Sequence, residues 1–185
     1  GIWVKKDKKS STRLAFTLRT GNAPELQGAA ELVRDAWRTF GADVTLELFD
    51  ASDLQQDVIR PRKYDALLFG EVVGREADLF AFWDSSQRND PGLNVALYTN
   101  SVVDTLVRTA RATDDATERT EATQKAARII SDETAAVFIY SPHFIFITPP
   151  TIRGITLTTI VTPADRFLTI DTWYQKTERV WPLFK

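Results

Sequence analysis

The chain contains no cysteine and no methionine, and a single histidine. Zero cysteine excludes disulfides, thiolate catalysis and Cys-ligated zinc. One imidazole, His143 beside Pro142, excludes a metal centre built on several histidines and reads as a structural turn residue. With methionine absent no start residue is present, which predicts that the chain is cut from something longer; the lack of a leader peptide is then uninformative. No apolar run approaches the ~20 residues that a membrane-spanning helix needs. No G-x-G-x-x-G, P-loop or G-x-S-x-G spacing occurs, which argues against a nucleotide cofactor and a nucleophile elbow. No charge of one sign dominates. The 23 basic and 25 acidic side chains leave a net −2, giving no general reason to expect nucleic acid as a partner.

What is present suits one domain. The 185 residues are 43% hydrophobic and 26% charged, the balance of a soluble globular chain. Residues 1–13 are polar, and Lys5, Lys6, Lys8, Lys9 and Arg13 form a local positive patch. No aromatic alternates with the lysines, so a solvated turn is expected. From Leu14 to Thr20 the pattern alternates, with Leu14, Phe16 and Leu18 on one face of a strand. Asn22 is placed to cap a helix with Pro24 in its first turn. Its apolar face is Leu26, Ala29, Ala30, Val33, Trp37 and Phe40, and Gly41 stops it. Val44, Leu46 and Leu48 predict a second strand. Ser52 with Gln55 predicts a capping-box start for a short helix ended by Pro61, and a third strand spans Tyr64 to Glu71. This βαβαβ order implies an α/β fold with a mainly parallel sheet flanked by helices.

Further on, Ser101 with Asp104 predicts another capped helix, lined by Val103, Leu106, Val107 and Ala110. Asp114 is expected to open a longer one with Ala116, Thr120, Thr123, Ala127 and Ile130 inward. Residues 136–140, 144–148 and 152–160 look like strands. The tail carries Trp173, Tyr174, Trp181 and Phe184, too apolar for a free end.

The stretch from Tyr64 to Asp104 carries the candidate site. A buried strand delivers Gly70 and Glu71 to the carboxyl edge of the sheet, where open α/β folds bind ligands. Gly74 offers close backbone approach. Trp83 and Tyr98 offer flat apolar faces, and Asn94 offers a donor and an acceptor. The predicted ligand-facing set is Glu71, Val72, Gly74, Arg75, Trp83, Asn94 and Tyr98; a core role for Trp83 is an equal alternative. No catalytic residue, metal ligand or cofactor is predicted. An α/β hydrolase-like enzyme domain using Glu71 or Asp84 as a base, or a protein-interaction module, are the competing classes.

Five stretches occur in an order and spacing that resemble the extracellular solute-binding proteins of family 5, the oligopeptide, dipeptide and nickel type. They are GIWVKKDKKSSTRLAFTLRT, PELQGAAELVRDAWRTFGADVTLELFD, YDALLFGE, DLFAFWDSSQRNDPGLNVALYTNSVVDTLV and ATDDATERTEATQKAARIISDETAAVFIYSP. The resemblance covers nearly the whole chain. It implies a periplasmic-binding-protein-like (type II) lobe over residues 1–185, the carboxyl-terminal ligand-binding lobe of a two-lobe protein. Residues 161–185 would form a tail returning toward the missing amino-terminal lobe. It further implies capture of a peptide or other small solute by hinge closure and delivery to an ABC permease. The implied location is periplasmic or extracellular, with or without a lipid anchor, and the implied state is monomeric. Peptide binders of this family commonly carry an aspartate just after the third strand. Here Gly74 stands at that place, with Glu71 and Arg75 as the nearest charges.

Overall fold

A computed structural model describes residues 1–74, 77–157 and 160–176. The chain opens with an antiparallel hairpin, β1 (Val4–Lys6) and β2 (Ser11–Arg13), all exposed. Then follow β3 (Ala15–Gly21), α1 (Pro24–Phe40) and β4 (Asp43–Phe49). A single helical turn, α2 (Ala51–Asp53), continues as a π-helix over Leu54–Ile59 and leads to β5 (Ala66–Leu67). The three strands form a parallel sheet in the order β4-β3-β5. This is the expected βαβαβ unit. Leu18, Ala30, Ala42 and Val44 form its core, with Phe16, Val33 and Trp37 packed against them.

The third strand is shorter than its sequence suggests. Only Ala66 and Leu67 pair with β3, although the Leu68 amide still donates to the Arg19 carbonyl at 2.9 Å. Past that point the chain leaves the ladder: Leu68 packs against the core of the sheet, and Phe69 walls a cleft. Two predicted caps also differ. The Asn22 amide donates instead to the Asp50 carboxylate, and with Pro24 holding the first helical turn, Ala23 takes the N-cap position without a side-chain bond. Asp50, not Ser52, precedes α2, and the Ser52 hydroxyl donates to Asp53. Gly41 ends α1 as predicted, at φ +108°.

The second half is helical. It comprises α3 (Phe80–Trp83), a 3-10 turn at Ser85–Gln87, α4 (Ser101–Ala112) and α5 (Ala116–Asp132). Asn100, not Ser101, caps α4: its Oδ1 accepts from the Val102 and Val103 amides at 2.9 and 3.2 Å. That frees Asp104, whose carboxylate accepts from the Ser85 amide (2.8 Å) and hydroxyl (2.5 Å). Asp115, one residue later than expected, caps α5. The buried face of α5 is Ala122, Ala126 and Ile130, so Ala116, Thr120 and Ala127 face water. Small residues line both sides of this helix, and periodicity alone did not choose between them. Val103 and Val107 on α4, packing with Ala126, Ile130 and Trp83 in one core, chose.

The run 136–148 forms no strand. A strand exists only where its amides find a ladder, and none lies alongside among the described residues. Val137, Phe138, Ile139 and Tyr140 are exposed, and Ile145 and Ile147 are 79% and 87% exposed. Of the described residues in 152–160, only Ile152–Arg153 (β6) is paired, antiparallel to β7 (Tyr174–Gln175). Two 3-10 turns, Pro163–Phe167 and Ile170–Thr172, lie between them. Trp173 anchors this part, with ring centroids 5.9 Å from both Phe146 and Phe167. Trp181 and Phe184 lie outside the described residues.

Among the described residues the buried Trp173 indole N–H has no hydrogen-bond partner. An orphaned donor costs about 1–3 kcal/mol. Trp173→Phe, which removes the donor and keeps an aromatic ring, is therefore expected to lie within about 1 kcal/mol of the parent. Trp173→Ala should lose about 3 kcal/mol in urea unfolding. Equal losses for both would show that the N–H is satisfied.

Candidate ligand-binding cleft

The carboxyl ends of all three parallel strands open into one cleft of about 300 Å³. Each strand contributes the turn that leaves it. Gly21, Asn22 and Leu26 come from the β3–α1 turn, Ala51, Leu54 and Gln55 from the segment after β4, and Phe69 and Gly70 from the chain after β5. The walls are tied together. Thr20 Oγ1 donates to the Leu68 carbonyl (2.9 Å), Asn22 to Asp50, and Arg19 to Glu47 at 2.7 Å.

Glu71 follows Gly70 directly. Its carboxyl is half-buried, and burial alone pushes it up to about 7. Among the described residues no hydrogen bond or ion pair engages it. Val72 and Gly74 beside it are exposed, and a Cβ at Gly74 would meet nothing within 4 Å. Arg75 lies outside the described residues.

The other three predicted residues are placed elsewhere. Trp83 is 4% exposed and sits in the helical core, its ring against Tyr98 and Phe138, both at 6.0 Å. Asn94 is fully buried. Its amide donates to the Tyr98 and Asp84 carbonyls (3.0 and 3.2 Å), and its Oδ1 accepts from the Tyr98 amide. Tyr98 donates its hydroxyl to Glu133 at 2.5 Å; burial first, then that bond, push the phenol up to about 12. These three form a loop support. As placed, Trp83 and Asn94 have no free surface to offer a solute, because packing and backbone amides use it fully.

Asp84 is likewise occupied. Its buried carboxylate takes two bonds from Arg108 (2.7 and 2.9 Å) and two from Ser86, the amide at 2.9 Å and the hydroxyl at 2.6 Å. Burial alone would raise its pKa; the Arg108 and Ser86 bonds outweigh that and hold it below the usual carboxylate range. A carboxylate so engaged is not a general base. Sequence reading missed the first two strand ends. The signals were Gly21-Asn22 and Asp50-Ala51, each immediately after an alternating run.

The chain is 32% identical over 146 residues to the probable D,D-dipeptide-binding periplasmic protein DdpA of Escherichia coli (strain K12), a match spanning 77% of this chain and 27% of DdpA. Among solved structures it superposes on the oligopeptide-binding protein AppA from Bacillus subtilis in complex with a nonapeptide. The TM-score is 0.69 at 20% identity, covering 94% of this chain and 35% of AppA. NikZ from Campylobacter jejuni in complex with Ni(L-His) gives 0.63 at 20% identity, covering 94% and 36%. The chain resembles the family 5 solute-binding proteins in sequence and shares their fold. No family model matches it. It spans between 27% and 36% of the length of these three proteins. DdpA and AppA are named as binding proteins, and DdpA as periplasmic.

A carboxyl raised by burial makes stability fall with pH. Below the unfolded value near 4.5 both states are protonated. Between there and about 7 the folded state alone keeps its proton, so stability drains as pH rises. Glu71→Gln should therefore raise the thermal midpoint at pH 8 and leave it unchanged at pH 4. The expected gain is below about 2 kcal/mol once solvent screening is allowed for. A variant less stable than the parent at pH 8 would mean that the carboxylate is paired.

Proposed function

We propose that this chain is the carboxyl-terminal lobe of a two-lobe, extracytoplasmic solute-binding protein that feeds an ABC importer. It captures a small solute, of the peptide class, at the cleft above the β4-β3-β5 sheet, and hinge closure against the other lobe buries the solute. The observation that carries this reading is the cleft itself: three parallel strand ends converge on one opening, beside the Glu71 carboxyl, which no hydrogen bond or ion pair engages among the described residues. A half-buried acid with no cation beside it among the described residues suits a ligand that brings one. A peptide amine paired with Glu71 would supply a charge-assisted bond worth roughly 1.5–3 kcal/mol. The exposed apolar run 136–147 supports the second lobe, since contiguous apolar surface of this kind marks an interface. The resemblance to DdpA and the oligopeptide-binding protein AppA favours the peptide class.

Titration calorimetry with di- to tetrapeptides tests this on the two-lobe protein and on residues 1–185 alone. The single lobe leaves one side of the ligand in water, so its binding should be no tighter than about 10 μM, roughly 7 kcal/mol. Nanomolar binding by the single lobe would sink the two-lobe reading. In the two-lobe protein, Glu71→Gln should weaken binding about tenfold. The parent's affinity should fall as the pH drops below about 7 and Glu71 takes up its proton. Parent-like binding by that variant would remove Glu71 from the site.

A further inference from the structure

The amino-terminal hairpin is chemically unlike the rest of the molecule. Lys5, Lys6, Lys8, Lys9 and Arg13 face Asp7 as their only acid, which makes residues 1–14 +4. The remaining 18 cations and 24 carboxylates make residues 15–185 −6. The positive charge is also unspent. Lys5 pairs across the ladder with Thr12 and Lys6 with Ser11, so neither meets a carboxylate. Among the described residues, none of these five cations makes a side-chain hydrogen bond or an ion pair, and both strands are exposed along their whole length.

An apolar rim adjoins these charges. Trp3 is 61% exposed and Phe40 is 67% exposed, and their rings lie 6.2 Å apart. The Trp3 indole N–H donates to the Phe40 carbonyl at 2.5 Å, which fixes the ring at the base of the hairpin. Ile2, Val4 and Leu14 are exposed beside it. A groove of about 390 Å³ is lined by apolar Trp3, Val4 and Leu14 together with Lys5, Thr12 and Arg13.

We propose that this hairpin docks the protein onto anionic lipid headgroups. Charge complementarity selects an anionic surface. The chemistry of the donors selects lipid over an acidic protein. Four of the five cations are lysines, point charges on flexible stems that suit a fluid, delocalised anionic layer. Recognition of fixed carboxylates favours the bidentate fork of arginine. An exposed tryptophan with aliphatic neighbours, beside Lys5 and Arg13, suits the boundary between headgroups and acyl chains. The hairpin projects from β3 and contributes no residue to the solute cleft, so the inference stands independently of the solute.

Vesicle flotation of the 185-residue chain tests it. With about 30% phosphatidylglycerol in phosphatidylcholine, recovery with the vesicles should exceed that on pure phosphatidylcholine about tenfold or more, and should fall back in high salt. The exposed Lys5→Glu/Lys6→Glu/Lys8→Glu/Lys9→Glu variant, shown by circular dichroism to be folded, should lose that preference. Three results overturn the proposal: no enrichment on anionic vesicles, equal recovery on both vesicle types, or a quadruple variant that floats like the parent. Retention by immobilised polyglutamate that is as strong as retention by the anionic vesicles also overturns it, in favour of an acidic protein partner.

Discussion

Asp84→Ala should destabilise the chain by about 3 kcal/mol, read as a lowered urea midpoint with an unchanged slope. Asp84 is fully buried and its two oxygens accept four bonds, two from Arg108 and two from Ser86. Alanine leaves the Ser86 amide without its acceptor and strips Arg108 of its partner. It also loosens the join between α4 and the 3-10 turn, which Asp104 and Ser85 alone would then maintain. Asp84→Asn keeps the shape and one acceptor, so it should lose less. Because the native carboxyl lies below its ordinary range, its contribution is present at neutral pH and drains as the pH falls through the folded value. The parent and Asp84→Ala should therefore converge in acid. A loss under about 1 kcal/mol at pH 7 would mean that the network contributes little.

Gly92→Ala should be comparably damaging, at about 3 kcal/mol or more. A Cβ at position 92 would lie 2.2 Å from the Gln87 carbonyl oxygen and 2.6 Å from its Cα. Both atoms are backbone, in a turn that has little room to move. The Gln87 carbonyl accepts from the Asn94 amide at 3.0 Å, and the Gly92 carbonyl accepts from Arg62 at 2.6 Å. Arg60 grips Asp90 with two 3.0 Å bonds. Shifting the turn to admit a methyl group breaks these bonds together. Gly74→Ala makes the control, since open space surrounds that position. If Gly92→Ala melts with Gly74→Ala, the turn is softer than its bonds indicate.

The candidate site divides in a telling way. Glu71, Val72 and Gly74 entered the predicted set because an apolar run precedes them, but the paired strand ends at Leu67 and they follow it as unpaired chain. Trp83, Asn94 and Tyr98 were drawn into the same set by chemistry that fits two roles. An asparagine that can donate and accept serves a ligand or a backbone turn equally well. Only the carbonyls of Asp84 and Tyr98, within 3.2 Å of its amide, decide which.

Local sequence determined what depends on local physics. Alternating runs gave β3 and β4, 3.6-residue periodicity and Gly41 gave α1, and the βαβαβ order implied a parallel sheet, because short right-handed crossovers leave few other arrangements. Tertiary structure decided whatever depends on partners distant in the chain. Asn22 lost its helix cap to Asp50, 28 residues away, and Asp104 turned to Ser85, 19 residues away. α5 took the face that α4 could cover. Residues 136–148 have strand composition and no ladder, since the hydrogen bonds that define a strand depend on its neighbour and none lies alongside among the described residues.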